Sequence, residues 1–337
     1  MHPSRTPAAV LAAPRGEIVV TEIDVRDPGP GEVLLRMEAC GVCHSDLFVA
    51  GLEKLPLVPL TVGHEGIGRV EAVGEGVWQF APGDRAGMTF LGGTCGACDW
   101  CSSSRERFCP KQFNFGYTLH GAMAGWVVAR ASHLVAVPPG MDAAEAAPLC
   151  CAGWTAFGAL REAALSAGQT VALFGYGGLG HLALQIARAS GVRVAVADLS
   201  EEKLEMARDA GAAIAVPASD GGRTLQKEHG GVDAAIVLTA NPTAIQQAFR
   251  SLKRAGRLVL VGLSTASYEL PLVDTVLKGI DVRGSYLGTR RDLEDVLALA
   301  GTGAVRAHVE RYPLAGLPAA LDRLRRGQQM GRAVICF

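Results

Sequence analysis

The sequence lacks three features that would each define a class of protein. None of its apolar runs reaches the roughly 18 uncharged residues that a membrane-spanning helix needs. The opening stretch, MHPSRTPAAVLAAPRGE, has no continuous apolar segment of the signal-peptide kind. Lys plus Arg (32) nearly equals Asp plus Glu (33), and no basic run is interleaved with aromatic residues. We therefore expect a cytoplasmic protein that acts on a small ligand and binds neither a membrane nor nucleic acid.

The length of 337 residues exceeds what one hydrophobic core usually organises, so two domains are expected. Up to about residue 150, short alternating runs such as EVLLRMEA lie between Gly/Pro turns, which is typical of a β-rich, barrel-like domain. From residue 151, apolar strands alternate with helical stretches, which indicates βαβ units around a parallel sheet. At the join, Asp142 and Glu145 have the spacing of a capping box, which predicts a helix starting at Ala143.

Cysteine is the residue type with the most uneven distribution. The odd count of nine, without a signal peptide, argues against a disulfide framework and for thiolate chemistry in a reducing compartment. Four of the nine lie in one polar loop and are separated by two, two and seven residues: Cys95, Cys98, Cys101 and Cys109. Four thiolates so close together can close a tetrahedral shell around a structural zinc ion. An iron–sulfur cluster is the alternative metal centre.

A glycine-rich loop follows the first predicted strand of the second half. In TVALFGYGGLGHLALQIAR, the residues Gly175, Gly177 and Gly180 fit the pattern G-x-G-x-x-G, with Gly178 and Leu179 between the last two. Such a loop, placed between a strand and a helix, lets a pyrophosphate approach the backbone at the helix N-terminus.

An acidic residue completes this pattern. Asp198 ends the next strand, VRVAVAD, eighteen residues after Gly180. Its carboxylate can bind the ribose hydroxyls of an adenosine and would repel a 2′-phosphate. The sequence therefore predicts NAD rather than NADP.

A third set of residues comes from three separate places in the chain. It consists of Cys43 in CGVCHSDLF, His64 in TVGHEG and one cysteine of PLCCAGWT. Two sulfurs and one imidazole would leave a zinc ion a fourth, reactive position. Each residue alone is equally consistent with an ordinary core position, so the interpretation rests on the three together.

With these motifs, the chain resembles the zinc-dependent alcohol dehydrogenases of the medium-chain dehydrogenase/reductase superfamily. The similarity extends over nearly the whole chain, through GVCHSD, GHEGIGRVEAVGEGV, GDRAG, CGACDWC, AAPLCCAG, the glycine loop and GSYLGTRRDL. It implies an α/β protein with a GroES-like β-barrel catalytic domain at 1–150, completed by about 291–337. A Rossmann NAD-binding domain with a doubly wound parallel sheet would occupy 151–290, with substrate and zinc in the cleft between the domains. It also implies a homodimer or homotetramer built through the edge of the Rossmann sheet.

The resemblance assigns the ligands of a catalytic zinc to Cys43, His64 and Cys151. Glu65 would approach the metal when water or substrate leaves. Asp46 would accept the second imidazole N–H of His64 and so set its tautomer. Together with the four-cysteine loop, this gives two zinc ions per chain.

The resemblance also implies the reaction. Zinc would acidify an alcohol, Ser45 would accept its proton, and a hydride would pass to the nicotinamide, giving an aldehyde or ketone. Phe90, Leu91 and Trp154 match positions that line the family's substrate pocket, which favours an apolar primary alcohol. Phe48 stands where many relatives have the histidine that ends the proton relay, so this chain lacks that base.

Five further positions match cofactor contacts of the family. His44 and Arg332 would reach the pyrophosphate, Lys203 would lie near the adenosine ribose, and Thr155 and Val261 would contact the nicotinamide.

Two other functional classes remain open at this point. One is a reductase of the same fold acting on an activated C=C or C=N bond, against which the intact set of Cys43, His64 and Cys151 argues. The other is a non-enzymatic protein that binds metal or nucleotide, which the position of Ser45 beside the metal disfavours. A redox pair of Cys40 with Cys43 is a further alternative, although it would compete with the metal.

Overall fold

The structure is a computed structural model that describes residues 2–263 and 265–337 and divides into two compact units. The first contains the described residues up to 151 together with 289–301 and 307–337, and the second contains 152–288 and 302–306. The family resemblance predicts that about 291–337, including 302–306, completes the first domain. Residues 302–306 belong to the second unit because Arg306 N donates to Gln185 Oε1 (2.9 Å) while Gln185 Nε2 donates to Arg306 O (3.0 Å).

The regular elements of the described residues are as follows. The strands are β1 (Arg5–Leu11), β2 (Ile18–Asp24), β3 (Glu32–Gly41), β4 (Leu60–Thr61), β5 (Glu65–Val73), β6 (Arg85–Met88), β7 (Leu91–Gly93), β8 (Phe113–Asn114), β9 (Trp126–Arg130), β10 (Val135–Ala136), β11 (Thr170–Phe174), β12 (Arg193–Asp198), β13 (Ile214–Pro217), β14 (Val232–Val237), β15 (Leu252–Leu260), β16 (Asp281–Gly284), β17 (Val309–Pro313) and β18 (Arg332–Cys336). The α-helices are α1 (His44–Ala50), α2 (Asp99–Ser102), α3 (Ala143–Ala146), α4 (Ala152–Ala163), α5 (Gly180–Ala189), α6 (Glu201–Asp209), α7 (Gly221–His229), α8 (Pro242–Arg250), α9 (Leu272–Lys278), α10 (Arg290–Gly301) and α11 (Leu317–Arg325). Short 3-10 helices cover Glu106–Phe108, Ala131–His133, Ala147–Cys150 and Leu314–Gly316. Within the described ranges, no helix is long and apolar enough to span a membrane.

The first unit is rich in β-structure, as the alternating runs predicted. Its largest sheet has the order β10-β6-β5-β3-β18-β17, and β9 also pairs with β3. A three-stranded sheet, β2-β1-β4, and the pair β7-β8 accompany it. The C-terminal strand β18 runs antiparallel to β3 with Ile335 opposite Cys40, so the end of the chain completes the first unit. Fully buried side chains such as Leu35, Met88 and Phe115 form its core.

The helix predicted after Asp142 is present and short. Asp142 Oδ1 accepts a hydrogen bond from Glu145 N (3.1 Å), and α3 begins at Ala143. After four residues the chain continues as a 3-10 helix, because Pro148 has no N–H to donate to the α-helical ladder. This change of winding ends at Cys150, directly before Cys151.

The second unit contains the predicted parallel sheet. Its order is β13-β12-β11-β14-β15-β16, and every neighbouring pair is parallel. In order of occurrence this is 3-2-1-4-5-6, the doubly wound Rossmann arrangement. Strands such as β11 are almost entirely apolar because helices cover both faces of such a sheet. The Rossmann fold predicted from the sequence is therefore confirmed.

Candidate functional site

The structure brings four ligand-type side chains together in the first unit. Ligand atoms of Cys43, His64, Glu65 and Cys151 all lie within 4.8 Å of one another, and all four residues are buried. Cys43 follows β3, His64 and Glu65 stand at the start of β5, and Cys151 follows the 3-10 helix. The three segments are far apart in sequence, so only the fold makes them one site.

The protonation chemistry of this cluster suits a divalent metal. A hydrogen bond with Cys151 lowers the pKa of Cys43 well below that of an ordinary thiol, with burial opposing and His64 assisting. The same hydrogen bond raises the pKa of Cys151, as does its burial. Ionisation of one sulfur therefore disfavours ionisation of the other. A metal ion bound by both sulfurs would stabilise both as thiolates.

Asp46 connects two of these ligands. It is 2% exposed, and its Oδ1 atom lies 3.5 Å from His64 Nδ1, which leaves Nε2 for a metal. Its Oδ2 atom accepts a hydrogen bond from Cys43 N (2.8 Å). Burial tends to lower the pKa of His64, but Asp46 and Cys43 raise it well above its usual value.

Two further predicted residues lie beside the cluster. Ser45 is half-buried, with Oγ 3.6 Å from Cys43 Sγ. Phe90 is also half-buried, and its ring centroid lies 5.5 Å from that of His64 in an edge-on arrangement. A hydroxyl group and an apolar ring are thus placed next to the candidate ligands. Leu91 and Trp154, which were also predicted to line the pocket, are buried.

Arg332 lies beside this cluster, on a partner that the sequence did not indicate. It was predicted to reach cofactor phosphates, but it is 3% exposed and its Nη2 donates to Glu65 Oε1. Arg332 is in β18, which pairs with β3, and β3 pairs on its other side with β5, which begins at Glu65. Only β3 therefore lies between the strands that carry the two residues. Burial raises the pKa of Glu65 to about 7, and the charge of Arg332 opposes this rise. The phosphate contact of Arg332 stays a prediction.

Helix α1 presents two exposed residues on one face. His44 is its first residue, and Phe48 follows four residues later with 56% of its surface exposed. Residues at this spacing are neighbours on a helix. Phe48 is thus an exposed apolar side chain next to His44 on α1.

The four cysteines of the polar loop also form a compact group. Sulfur–sulfur distances are 3.5 Å for Cys98–Cys101, 3.6 Å for Cys95–Cys109 and 3.9 Å for Cys95–Cys101. Four sulfurs about 2.3 Å from one zinc ion form a tetrahedron with edges of roughly 3.8 Å. An iron–sulfur cluster would distribute the four thiolates over two or four iron atoms, so that thiolates on different irons would lie farther apart. The backbone N–H groups of Ala97 and Cys98 lower the pKa of Cys95 to about 6, which further suits a cation.

In the second unit, the glycine loop has the geometry that a dinucleotide requires. Gly175 has φ +107°, and a Cβ on Gly180 would lie 2.3 Å from Gly175 O, so the loop itself needs both glycines. A Cβ on Gly177 would meet no described atom within 4 Å. The missing side chain at Gly177 is thus not explained by packing, and the open space fits a phosphate. Gly178 and Leu179 form the turn that leads into α5.

The carboxylate of Asp198 is hydrogen-bonded to this loop. Its Oδ2 atom accepts a hydrogen bond from Tyr176 N (2.7 Å), and Oδ1 accepts one from Ser200 N (3.0 Å). The sequence predicted a ribose contact for Asp198 but did not indicate these bonds, which set the orientation of its carboxylate. Leu199, next to it, is 77% exposed and was not singled out from the sequence.

The other predicted cofactor residues of the second unit are also placed. Lys203 is half-buried in α6, and its N–H donates to the capping Ser200 Oγ (3.4 Å). Val261 follows β15, and its N–H donates to Val237 O (3.1 Å). Thr155 lies in the first turn of α4 and is 9% exposed. Val261, like Gly175 and Asp198, thus lies at the carboxyl edge of the sheet, where doubly wound folds bind ligands.

Comparisons with known sequences agree with this geometry. A family model described as "Alcohol dehydrogenase GroES-like domain" matches residues 29–139, and one described as "Zinc-binding dehydrogenase" matches residues 178–302. An alcohol dehydrogenase of Geobacillus stearothermophilus is 41% identical over 335 residues, which cover 97% of this chain and 98% of the relative.

Solved structures show the same similarity. The alcohol dehydrogenase of the archaeon Aeropyrum pernix has a TM-score of 0.91 at 30% identity, covering 98% of this chain and 100% of that one. Acetophenone reductase from Geotrichum candidum, solved in complex with NAD, has a TM-score of 0.89 at 28% identity, covering 100% and 98%. With the buried cluster and the Rossmann sheet, these similarities show that the chain belongs to the zinc-dependent alcohol dehydrogenases of the medium-chain dehydrogenase/reductase superfamily, enzymes that interconvert alcohols with aldehydes or ketones.

Proposed function

We propose that the protein is an NAD-dependent enzyme that interconverts small apolar primary alcohols and their aldehydes. The observation that carries this proposal is the buried set of Cys43, His64 and Cys151, whose ligand atoms are close enough to share one ion. A set of two thiolates and one imidazole leaves an ion with an open position. This open position suits an alcohol oxygen.

The reaction draws on two bound groups and several side chains. When bound, zinc supplies an electrophile that acidifies an alcohol, and NAD supplies the hydride acceptor. Ser45 would accept the alcohol's proton, and its position beside Cys43 supports this role. Asp46 holds His64 in one orientation, and the Phe90 ring favours an apolar substituent on the substrate.

The function is tested with a panel of alcohols, enals and imines, each assayed with NAD(H) and NADP(H). We expect oxidation of primary apolar alcohols with NAD and reduction of the matching aldehydes with NADH. Reduction of C=C or C=N bonds without alcohol oxidation would instead support the reductase alternative, which the alcohol dehydrogenase relatives do not favour. Absence of any turnover with metal-loaded protein would leave a binding function.

We further propose two zinc ions per chain with different roles. The Cys43, His64 and Cys151 set would hold the catalytic ion, and the four-cysteine loop would hold a structural one with no open position. None of the nine cysteines forms a disulfide, which suits a reducing compartment and supports a location in the cytoplasm.

Cysteine substitutions separate the two roles. We expect Cys151→Ser to abolish turnover while the midpoint of thermal unfolding changes little. Cys98→Ser should lower that midpoint, because a structural ion contributes folding free energy to its loop. Cys336→Ser, at a half-buried thiol outside both clusters, serves as the control and should keep both ions. Elemental analysis that finds one ion or none per active chain contradicts the proposal.

The NAD preference is predicted to depend on the charge of Asp198. Replacing it with Ser should raise kcat/KM for NADP relative to NAD by roughly tenfold, because a carboxylate that would face the 2′-phosphate is lost. Asp198→Asn is the matched variant, since it removes the charge while keeping an acceptor for Tyr176 N. If the wild-type enzyme already uses NADP as well as NAD, the role assigned to Asp198 is wrong.

Phe48 is predicted to slow the loss of the alcohol's proton. Phe48→His should speed alcohol oxidation near pH 7 by roughly tenfold and introduce a pH dependence near 6.5, because a base then stands where many relatives have one. Aldehyde reduction at lower pH should change less. Single-turnover hydride transfer across pH is the measurement, with Phe48→Leu as the control without a base. If the profiles of wild type and Phe48→His coincide, the proton relay does not extend to residue 48, and Phe48 is a pocket or packing residue instead.

We also propose that the chain forms a homo-oligomer through the edge of the second unit's sheet. Four apolar residues of α9 are 67–75% exposed: Leu272, Val273, Val276 and Leu277. Helix α9 leads into β16, which pairs with β15 on one side and with no described strand on the other. A second copy related by a two-fold axis would cover the exposed face of α9, and its own β16 would pair with the β16 of this chain.

A single charge on this face tests the oligomer. Light scattering of the wild-type protein should give the mass of two or four chains. Leu277→Glu should shift the mass toward one chain, because it buries an unpaired carboxylate in the interface, whereas Lys54→Glu in the first unit should not. A wild-type mass of one chain contradicts the proposal.

A further inference from the structure

Gly41 lies between the two charged residues that accompany the candidate metal ligands. It is directly opposite Glu65 on β5 and directly opposite Val334 on β18. Arg332 precedes Val334 by two residues in the same strand, so its side chain projects from the same face. Glu65 and Arg332 therefore stand on the two strands that flank β3, and Gly41 is the residue of β3 between them.

The pairing of Glu65 with Arg332 depends on the missing side chain of Gly41. Two strands that flank a third are roughly 10 Å apart, so the carboxylate and the guanidinium meet above the middle strand. A Cβ on Gly41 would lie 2.0 Å from Glu65 Oε2, 2.9 Å from its Cδ and 3.0 Å from its Cβ. Gly41 is not among the glycines with positive φ, so the backbone itself does not require glycine here. Glycine is needed at position 41 because the Glu65 carboxylate occupies the space that a side chain would take.

The carboxylate of Glu65 has a second cation within reach if the cluster holds a metal. One of its oxygens lies within 4.8 Å of the ligand atoms of Cys43, His64 and Cys151. Glu65 Oε2 is buried and has no hydrogen-bond partner among the described residues. Arg332 and the metal would thus compete for the buried carboxylate of Glu65. The position of this carboxylate determines which of the two cations it binds.

We infer that Gly41 is a positioning residue that keeps the Glu65 carboxylate on Arg332 and out of the metal's open coordination position. This inference rests on the proposed catalytic zinc site. With a methyl group at position 41, the carboxylate loses its place above β3 and turns to the metal, the other cation next to it. The open position needed by the substrate is then occupied by a protein ligand.

Metal release distinguishes this role from a general structural one. In the full-length protein, Gly41→Ala should slow the loss of the catalytic zinc to a chelator by roughly tenfold, because the ion gains a ligand. It should also change the d–d absorption of protein in which Co²⁺ replaces zinc. A substitution that only disturbs packing would speed metal loss. The four-cysteine loop contributes equally to all variants and cancels in difference spectra.

The double variant Gly41→Ala/Glu65→Ala is the control. Without the Glu65 side chain, the Gly41→Ala change should alter neither the rate of metal loss nor the cobalt spectrum relative to Glu65→Ala. Faster metal loss in Gly41→Ala, or the same change in both backgrounds, overturns the inference.

A thermal-unfolding cycle on metal-free protein tests the geometry independently of any metal or activity. Gly41→Ala should lower the unfolding midpoint by roughly 2 to 10 °C in the wild-type background and by much less in Glu65→Ala, because the overpacking is against Glu65. If Gly41→Ala does not fold and the double variant does, the inference is supported. If neither folds, or the two costs are equal, it is overturned. A third result is that Gly41→Ala is costly only when Glu65 is present, but the wild-type protein takes up no Co²⁺ at the cluster. In that case the proposed zinc site is wrong, while the role of Gly41 in positioning Glu65 remains.

Discussion

The antiparallel pairing of β18 with β3 is the contact on which the candidate metal centre depends. It joins the last strand of the chain to the strand that ends just before Cys43, and β5 on the other side of β3 brings His64 and Glu65. Three neighbouring strands thus supply two ligands, a carboxylate and the arginine that neutralises it. Loss of this pairing would leave Glu65 as a buried carboxylate without a counter-charge, which is costly.

Charge balance explains why the cluster is suited to a cation. Cys43, Asp46 and Glu65 can each carry a negative charge, and all three are buried. Arg332 and a protonated His64 offer two positive charges in the absence of metal. A divalent ion would allow Cys151 to lose its proton as well and His64 to become neutral, so that the buried charges are paired through coordination rather than through shared protons.

The second unit separates what the loop needs for folding from what it needs for a ligand. Gly175 and Gly180 are required by backbone conformation and by a close approach within the loop, whereas the space at Gly177 is used by no described atom. The oxygens of Asp198 accept hydrogen bonds from Tyr176 N and Ser200 N at the carboxyl edge of the sheet, where we propose that the ribose binds. A carboxylate held in this way needs little reorganisation to bind hydroxyl groups.

The residues that could be predicted from the sequence are those whose chemistry is visible in local spacing. The four-cysteine loop, the glycine pattern with Asp198, and the alternation of strands and helices each occupy a short segment with a characteristic period or order. The capping pair at Asp142 was also predictable, but the length of its helix was not, since Pro148 changes the winding after one turn. The grouping of 302–306 with the second unit was not visible in the sequence, since it involves hydrogen bonds between Gln185 and Arg306, which are far apart in the chain.

The sequence by itself determined which side chains are available for metal, cofactor and proton transfer, because donor type and local spacing are properties of short segments. Only the tertiary structure decided which of them meet. The motif around Arg332 indicated a contact with cofactor phosphates but gave no sign of its ion pair with Glu65, which strand pairing creates. Gly41 opens the GVCHSD motif, but the motif did not indicate why a glycine is needed there, since the role of a glycine in a strand depends on its neighbours in the sheet. The need for glycine at this position comes from Glu65 and Arg332, which lie far from it in the sequence. Only the register of β5, β3 and β18 brings their side chains to the same face of the sheet.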